Sequence, residues 1–187
     1  MPSKKNRQRK AVETLLGSLK NVNVADSDGW TPLMTACNRR SLEDTQALID
    51  AGADVDKGDA GGFRPLMCAA VEGRSEIIGL LLQRGARVDA TDGYGRTAMS
   101  WAVTKGDFDG SAKVLIQFGA NVNKADEGGF TPLMRSALAD HPRCFALLLE
   151  SGADVNPVNP TWQKTALEMA LERGSEPLKA LARRSGR

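Results

Sequence analysis

The chain has 187 residues, of which 41% are hydrophobic and 26% charged, a composition typical of soluble globular proteins. It contains no apolar run long enough to cross a bilayer and no stretch of the signal-peptide kind near its N-terminus, so we expect neither a membrane protein nor a secreted one. A single histidine and three cysteines without paired spacing favour free thiols in a reducing compartment over a metal site, a disulfide framework or a bound cofactor.

Basic residues are concentrated at the two ends of the chain. Residues 11–178 contain 16 basic and 23 acidic residues, a net charge of −7, whereas the whole chain has a net charge of +2. We therefore interpret residues 1–10 as a disordered basic arm in front of a domain that spans residues 11–187. The arm carries five basic residues, which are Lys4, Lys5, Arg7, Arg9 and Lys10.

An apolar stripe with helical spacing follows the arm. It predicts one amphipathic helix, which we interpret as part of an N-terminal cap over residues 11–25. The residues of the stripe are Val12, Leu15, Leu16 and Leu19.

The rest of the chain repeats a short phrase at a nearly fixed interval. Thr31-Pro32-Leu33-Met34 is the first copy, and related phrases start at positions 64, 97, 131 and 165, in steps of 33, 33, 34 and 34 residues. A period of this size is typical of stacked repeats that bury their apolar faces against one another. The predicted repeats span about residues 26–58, 59–91, 92–125, 126–158 and 159–187.

Each repeat has the pattern of a turn followed by two helices. In repeat two, Gly62 favours a turn, Pro65 suits the first residue of a helix, and Gly85 ends a second helix rich in leucine and isoleucine. Four repeats have a threonine before the first helix as an N-cap, but repeat two has Arg64, so we expect a weaker cap there. Before repeat five, Gln163 stands where the other repeats have glycine.

Residues and spacing together closely resemble the ankyrin repeat, whose pattern includes T-P-L near the start and G-A-D-V-N near the end, over about residues 20–184. The resemblance implies an all-α class, an ankyrin-repeat α-solenoid in which helix–turn–helix pairs are joined by β-hairpin loops. It also implies protein partners that bind across the hairpin tips and the groove formed by the first helices. The chain departs from the family after T-P-L, where methionine replaces histidine in three repeats.

The expected partner surface is rich in aromatic and charged side chains. Every predicted hairpin tip carries one aromatic residue that we expect to be exposed. These rings either contact a partner or pack on the neighbouring hairpin, and Trp101 either lines the groove or covers its helix pair. We expect Phe118 and Phe145 in the core instead. The candidate residues are Trp30, Phe63, Tyr94, Arg96, Phe130 and Trp162 at the tips and Arg39, Glu72, Trp101, Lys105 and Leu138 in the groove.

The pattern at the C-terminus predicts a closed end of the stack. Leu178, Leu181 and Ala182 are expected to face inward, while Arg183 and Arg184 face water. Because we expect a cap at each end, we predict a monomer.

We interpret the chain as a non-enzymatic adaptor that binds a protein or peptide partner inside the cell, in the cytoplasm, the nucleus or both. The alternative is a nucleic-acid- or ribosome-associated protein that uses the basic arm, since basic runs contact phosphates, although the acidic body opposes this. The arm itself is equally consistent with an import signal or a passive tail. An enzyme is disfavoured because the sequence has no phosphate-binding loop, nucleophile elbow or multi-histidine cluster.

The resemblance implies one modification as well. The asparagine that ends the G-A-D-V-N phrase is hydroxylated in some ankyrin proteins, and Asn123 and Asn156 match that position. Asp56 and Asp89 occupy it in the two preceding repeats.

Overall fold

The computed structural model describes residues 21–39, 41–107 and 109–186. This part of the chain contains ten α-helices in five consecutive pairs and no β-strand, which confirms the predicted all-α solenoid. The predictions for the basic arm and for residues 11–20 of the cap lie outside the described residues. In chain order the pairs are α1 (Pro32–Arg39) with α2 (Leu42–Asp50), α3 (Pro65–Val71) with α4 (Ser75–Gln83), α5 (Ala98–Lys105) with α6 (Asp109–Gln117), α7 (Pro132–Leu138) with α8 (Pro142–Glu150), and α9 (Ala166–Arg173) with α10 (Glu176–Ser185).

The odd-numbered helices are here called the inner helices, and four of these five begin at a threonine side-chain cap. The hydroxyl oxygen of Thr131 accepts a hydrogen bond from the third backbone N–H of α7, and Thr97 and Thr165 do the same for α5 and α9. A cap of this kind stabilises a helix by about 1 kcal/mol. Helix α3 has no such bond because its N-cap residue is Arg64, so the weakness predicted for this cap has a structural basis.

The core lies between consecutive helix pairs. Inner helices pack on inner helices and the even-numbered outer helices on outer ones. The methionines that replace the family's histidine, Met34, Met67 and Met134, are buried in this core. Phe145 is also fully buried, as predicted, but the prediction for Phe118 is wrong, because 40% of its surface is exposed. Phe118 lies just past the end of α6, outside the regular helix that packs on the neighbouring pairs.

Each hairpin tip is closed by one side chain at its base rather than by paired strands. One carboxylate oxygen of Asp59 accepts hydrogen bonds from the backbone N–H groups of Gly61 and Phe63, at 2.9 Å each. Asp26, Asp92 and Asp126 repeat this arrangement, and Asn159 replaces them in repeat five. The predicted β-hairpin loops are therefore tight turns, and the described residues contain a single isolated β-bridge, between Asn159 and Lys164.

Neighbouring tips are joined by backbone hydrogen bonds. Gly93 N–H donates to the carbonyl of Gly61, and Glu127 N–H donates to the carbonyl of Tyr94 at 3.0 Å. The loops after the outer helices are joined by side chain–backbone hydrogen bonds instead, as when the side chain of Asn123 accepts from Asp154 N–H at 2.8 Å. Because every contact reaches only the next repeat, stability is shared between neighbours rather than concentrated in one core.

The departure at Gln163 has a conformational consequence. Its φ angle is +53°, in the left-handed region, and the glycines at the same position of the other tips also have positive φ. A non-glycine residue there costs about 1 kcal/mol or more. We therefore expect Gln163→Gly to stabilise the protein by about 1 kcal/mol, measured by urea unfolding. The substitution also removes the hydrogen bond from the Gln163 side chain to the Pro160 carbonyl, which lowers stability. An unchanged urea midpoint would mean that this loss equals the gain from relieving backbone strain.

All three cysteines are free and buried. Burial raises the pKa of Cys37 and of Cys144 to about 12, and it raises the pKa of Cys68 as well. The folded thiols should stay protonated at about pH 8, with a thiolate fraction about a thousandfold below that of the unfolded chain. We expect very slow labelling by a thiol reagent in the native state and rapid labelling of all three in denaturant. Fast native labelling of any one would contradict this burial.

The described residues contain neither a membrane-spanning helix nor a metal-binding cluster. None of their helices is both long and apolar enough to cross a membrane. No group of three or more histidine, cysteine, aspartate or glutamate side chains is arranged among them to hold a metal ion.

Candidate partner-binding surface

The tips of repeats one to three and the inner helix of repeat three form one aromatic cluster. The Trp30 and Phe63 ring centroids are 6.3 Å apart, and the edge of one ring meets the face of the other where Phe63 contacts Trp101, at 5.3 Å. The Arg96 guanidinium lies 4.0 Å from the Trp101 ring and 4.7 Å from the Tyr94 ring. Tip and groove residues that are far apart in sequence thus form one continuous surface.

A second cluster joins repeats four and five. Phe130 and Trp162, at consecutive tips, meet edge to face with centroids 5.5 Å apart. Each ring carries a guanidinium from the inner helix of its own repeat, Arg135 at 5.2 Å from Phe130 and Arg173 at 5.0 Å from Trp162. Edge-to-face rings and arginine–ring contacts each contribute about 0.5–1.5 kcal/mol, so this geometry holds the side chains in fixed positions.

Two buried carboxylates connect the tips to the inner helices. One oxygen of Asp92 closes its tip, and the other accepts from Arg96 Nε at 2.9 Å and Trp101 Nε1 at 3.1 Å. Asp126 is arranged in the same way and forms an ion pair with Arg135, whose Nε lies 2.6 Å from the carboxylate oxygen. Both carboxylates are almost fully buried. They fix the orientation of the rings and guanidinium groups above them.

The exposure expected for the tip rings is only partly correct. Tyr94 is 67% exposed and Trp162 is 38% exposed, but Trp30, Phe63 and Phe130 are half-buried and pack against the core. The reason is that each of these three rings lies directly after its tip glycine and meets an aromatic ring of the next repeat, as Trp30 meets Phe63, Phe63 meets Trp101 and Phe130 meets Trp162. For them the packing alternative describes the structure, and partner contact stays a prediction.

The groove residues divide in a similar way. Trp101 is half-buried and hydrogen-bonded to Asp92, so it both covers its helix pair and lies beside the tips. The remaining candidates lie in the last turn of an inner helix or directly after it. Arg39 and Lys105 are exposed, and Glu72 and Leu138 are half-buried.

Sequence reasoning missed the two buried aspartates. The signal was a nine-residue spacing, because Asp92 precedes Trp101 by nine positions and Asp126 precedes Arg135 by nine. In repeats one and two the residues nine positions after the tip aspartate are Thr35 and a cysteine, which explains why the pattern was not evident from the repeat alone.

The two asparagines of the hydroxylation prediction are both exposed. The side chain of Asn123 bonds to the following repeat, whereas the Asn156 amide bonds within its own loop, to the Asp154 carboxylate at 2.8 Å. Hydroxylation of either residue stays a prediction.

Several characterised proteins share parts of this sequence. A stretch of 82 residues is 39% identical to Ankyrin repeat and SOCS box protein 16 of Homo sapiens and covers 44% of this chain and 18% of that protein. A stretch of 60 residues is 45% identical to Palmitoyltransferase AKR1 of Candida glabrata, covering 32% of this chain and 8% of that protein. A stretch of 74 residues is 38% identical to Inversin of Homo sapiens, covering 40% of this chain and 7% of that protein. The chain thus spans less than a fifth of the length of each relative.

The family model described as Ankyrin repeats (3 copies) matches residues 3–92 and 89–159. These two matches together span most of the chain. Repeats of this kind generally serve as non-enzymatic modules for protein–protein interaction. With the five helix pairs and the repeated phrases, the matches establish that the chain belongs to the ankyrin-repeat family.

Proposed function

We propose that this chain is an adaptor that binds a protein or peptide partner across its hairpin tips and inner helices. The observation that carries the proposal is the pair of aromatic–arginine clusters, in which Tyr94 and Trp162 keep large exposed rings beside arginine guanidinium groups. Aromatic and arginine side chains dominate the binding energy of protein interfaces. The proposed adaptor has no enzymatic activity.

The proposed anchors on this chain are the exposed rings rather than the half-buried ones. Tyr94 extends from the third tip, and Trp162 lies on the fifth, next to Phe130. A partner segment that lies along the tips would bury both rings with aliphatic or aromatic side chains of its own. Rings that are already held by neighbouring side chains lose less conformational entropy on binding, which lowers one of the costs of association.

The charges on this surface favour a partner with carboxylate groups near its apolar anchors. Arg96 and Arg135 form ion pairs with the buried carboxylates of Asp92 and Asp126, so their charges are already neutralised. They offer a partner the planar, polar face of the guanidinium group. Arg39, Lys105 and Arg173 are exposed in the last turns of their inner helices. A partner carboxylate beside Trp162 would meet the Arg173 guanidinium, the group best suited to it.

The experiment is affinity capture from a nuclease-treated lysate with the wild type and a Tyr94→Ser/Trp162→Ser variant, read out by mass spectrometry. A captured protein is then purified and titrated against both. We expect the variant to bind it at least about tenfold more weakly, because hot-spot truncations cost about 2 kcal/mol or more. Trp30, Phe63 and Phe130 are unsuitable for this test, since their rings also pack against the core.

The matched control is Phe118→Ser, which removes another exposed aromatic ring, at the end of an outer helix. It should bind as the wild type does. Equal affinity of the wild type and the double variant would refute the proposed surface. A species that both capture from untreated lysate and lose after nuclease treatment would instead indicate binding to nucleic acid.

A further inference from the structure

Repeat four holds an arginine side chain of its own against a carboxylate and an aromatic ring. The Nε atom of Arg135 lies 2.6 Å from one oxygen of Asp126, whose other oxygen closes the tip. The guanidinium carbon of the same arginine lies 5.2 Å from the centroid of the Phe130 ring. A guanidinium group suits such a site because it donates to a carboxylate and stacks on an aromatic face at the same time. Repeat four therefore shows what an arginine site on this scaffold consists of.

Repeat two has the same carboxylate and the same kind of ring, but it has no arginine. Asp59 closes this tip with one carboxylate oxygen, and Phe63 follows four positions later, the spacing that separates the two residues in repeat four. The residue nine positions after Asp59, where repeat four has its arginine, is Cys68. Two of the three components of the arginine site are thus present in repeat two, and the cationic one is missing.

The second carboxylate oxygen of Asp59 is unpaired and open to solvent. No donor among the described residues reaches it, because both hydrogen bonds of this side chain go to the first oxygen. It is not buried either, since the described residues contain three buried side-chain polar atoms without a partner and none belongs to Asp59. Asp92 and Asp126, whose second oxygens are occupied, are only 2% and 1% exposed, whereas Asp59 is half-buried.

The first tip extends this site. Gly29 lies against Asp59, because a Cβ atom on Gly29 would be 3.3 Å from the Cβ atom of Asp59. Trp30 follows directly, and its ring centroid is 6.3 Å from that of Phe63. Asp26 closes the first tip with one oxygen, and its second oxygen accepts no hydrogen bond from a described residue. Two consecutive tips therefore present carboxylates with a free oxygen beside two neighbouring rings.

The basic residues nearest to these two tips are engaged or directed elsewhere. Arg64 donates to a backbone carbonyl, and Arg96 forms an ion pair with Asp92. Arg39 is the last residue of α1, so it lies at the opposite end of that helix from the tip. The negative charge of the first two tips is therefore available to a cation that comes from outside the chain.

We propose that the first two tips bind an arginine side chain of the partner, with its guanidinium group on Asp59 and beside the rings of Trp30 and Phe63. The proposal rests on the proposed function and names one chemical group that the partner carries. Arginine is favoured over lysine because its planar group stacks on a ring while it donates paired hydrogen bonds to a carboxylate. With Arg173 beside Trp162 at the other end, the partner lies with a basic residue over repeats one and two and a carboxylate over repeat five.

Nuclear magnetic resonance titration of the full chain tests the site with three short peptides, acetyl-glycyl-X-glycine amides in which X is arginine, lysine or citrulline. Citrulline has nearly the shape of arginine without its charge. At millimolar concentrations the arginine peptide should shift the amide signals of Gly61 and Phe63, which donate to Asp59. The lysine peptide should bind more weakly and the citrulline peptide should cause no shift. High salt should weaken the arginine response by screening the ion pair.

The decisive variant is Asp59→Asn. Asparagine keeps the tip closed, as Asn159 does in repeat five, but it removes the charge. The variant should bind the arginine peptide about fivefold more weakly or worse, because a hydrogen-bonded charge pair is lost. The matched control is Asp28→Asn, which removes an exposed carboxylate of the first tip and should bind as the wild type does.

Three results would overturn the proposal. They are equal shifts with the arginine and citrulline peptides, wild-type affinity in Asp59→Asn, and equal losses in Asp59→Asn and Asp28→Asn, which would indicate general attraction to an acidic surface. The titration involves neither Tyr94 nor Trp162. Failure of the arginine site is therefore distinguishable from failure of the proposed partner surface, which the double serine variant of those two rings tests.

Discussion

Replacing Asp126 with alanine should destabilise the protein by about 3 kcal/mol, because it leaves a partly buried guanidinium and two tip amides without their acceptor. Both oxygens of this carboxylate are used, one by the N–H groups of Gly128 and Phe130 and the other by Arg135. The Arg135 side chain is 23% exposed, so water can compensate part of its loss, and we set the expected cost at the low end for a buried ion pair. Urea unfolding measures it.

Asp59→Ala is the matched control for this prediction. Asp59 closes its own tip with the same two amide bonds, but the residue nine positions later is Cys68 instead of arginine. It should cost about 1–2 kcal/mol, the value expected for the tip bonds alone. The difference between the two variants measures the link between tip and inner helix. Equal losses would show that the buried ion pair with Arg135 contributes nothing beyond the turn.

The repeat period allowed the helix pairs and the hairpin turns to be predicted, because they depend on residues within one repeat. Threonine caps, proline at the first helical position and glycine at the tips act over three or four residues. Leu66, Ala69 and Ala70 share one helical face by their spacing, and all three are buried. For the same reason the missing side-chain cap at Arg64 could be recognised from the sequence.

The features that the sequence could not predict depend on contacts between repeats. The exposure of a tip ring is decided by its neighbours, as Phe63 shows by meeting both Trp30 and Trp101. From the sequence, Asp92 has the pattern of an ordinary turn residue. Its second carboxylate oxygen accepts a hydrogen bond from Trp101, because the inner helix places the indole N–H within reach. Leu171 matches the buried stripe of its helix, and only the absence of a following pair in the described chain leaves it open.

Gly129→Ala should have the second large effect, a loss of about 3 kcal/mol that combines backbone strain with a steric clash. Its φ angle is +73°, and an added Cβ atom would lie 2.4 Å from Cδ of Pro160 on the next tip. Pro160 has a rigid ring, so the two tips must move apart. We expect the near-ultraviolet circular dichroism to change as well, since Phe130 and Trp162 are in contact beside this point.

Gly152→Ala separates the two causes. Its φ angle is +82°, yet no atom lies within 4 Å of the added Cβ, so it should cost about 1 kcal/mol from backbone strain alone. If the clash supplies the remainder for Gly129→Ala, then Pro160→Ala introduced with it should recover about 1–2 kcal/mol in a double-mutant cycle. Recovery would show that contact between consecutive tips sets the position of Trp162, and with it the shape of the surface proposed to bind the partner. Without recovery, the loss in Gly129→Ala would come from backbone strain within repeat four, and contact with Pro160 on the next tip would not contribute to it.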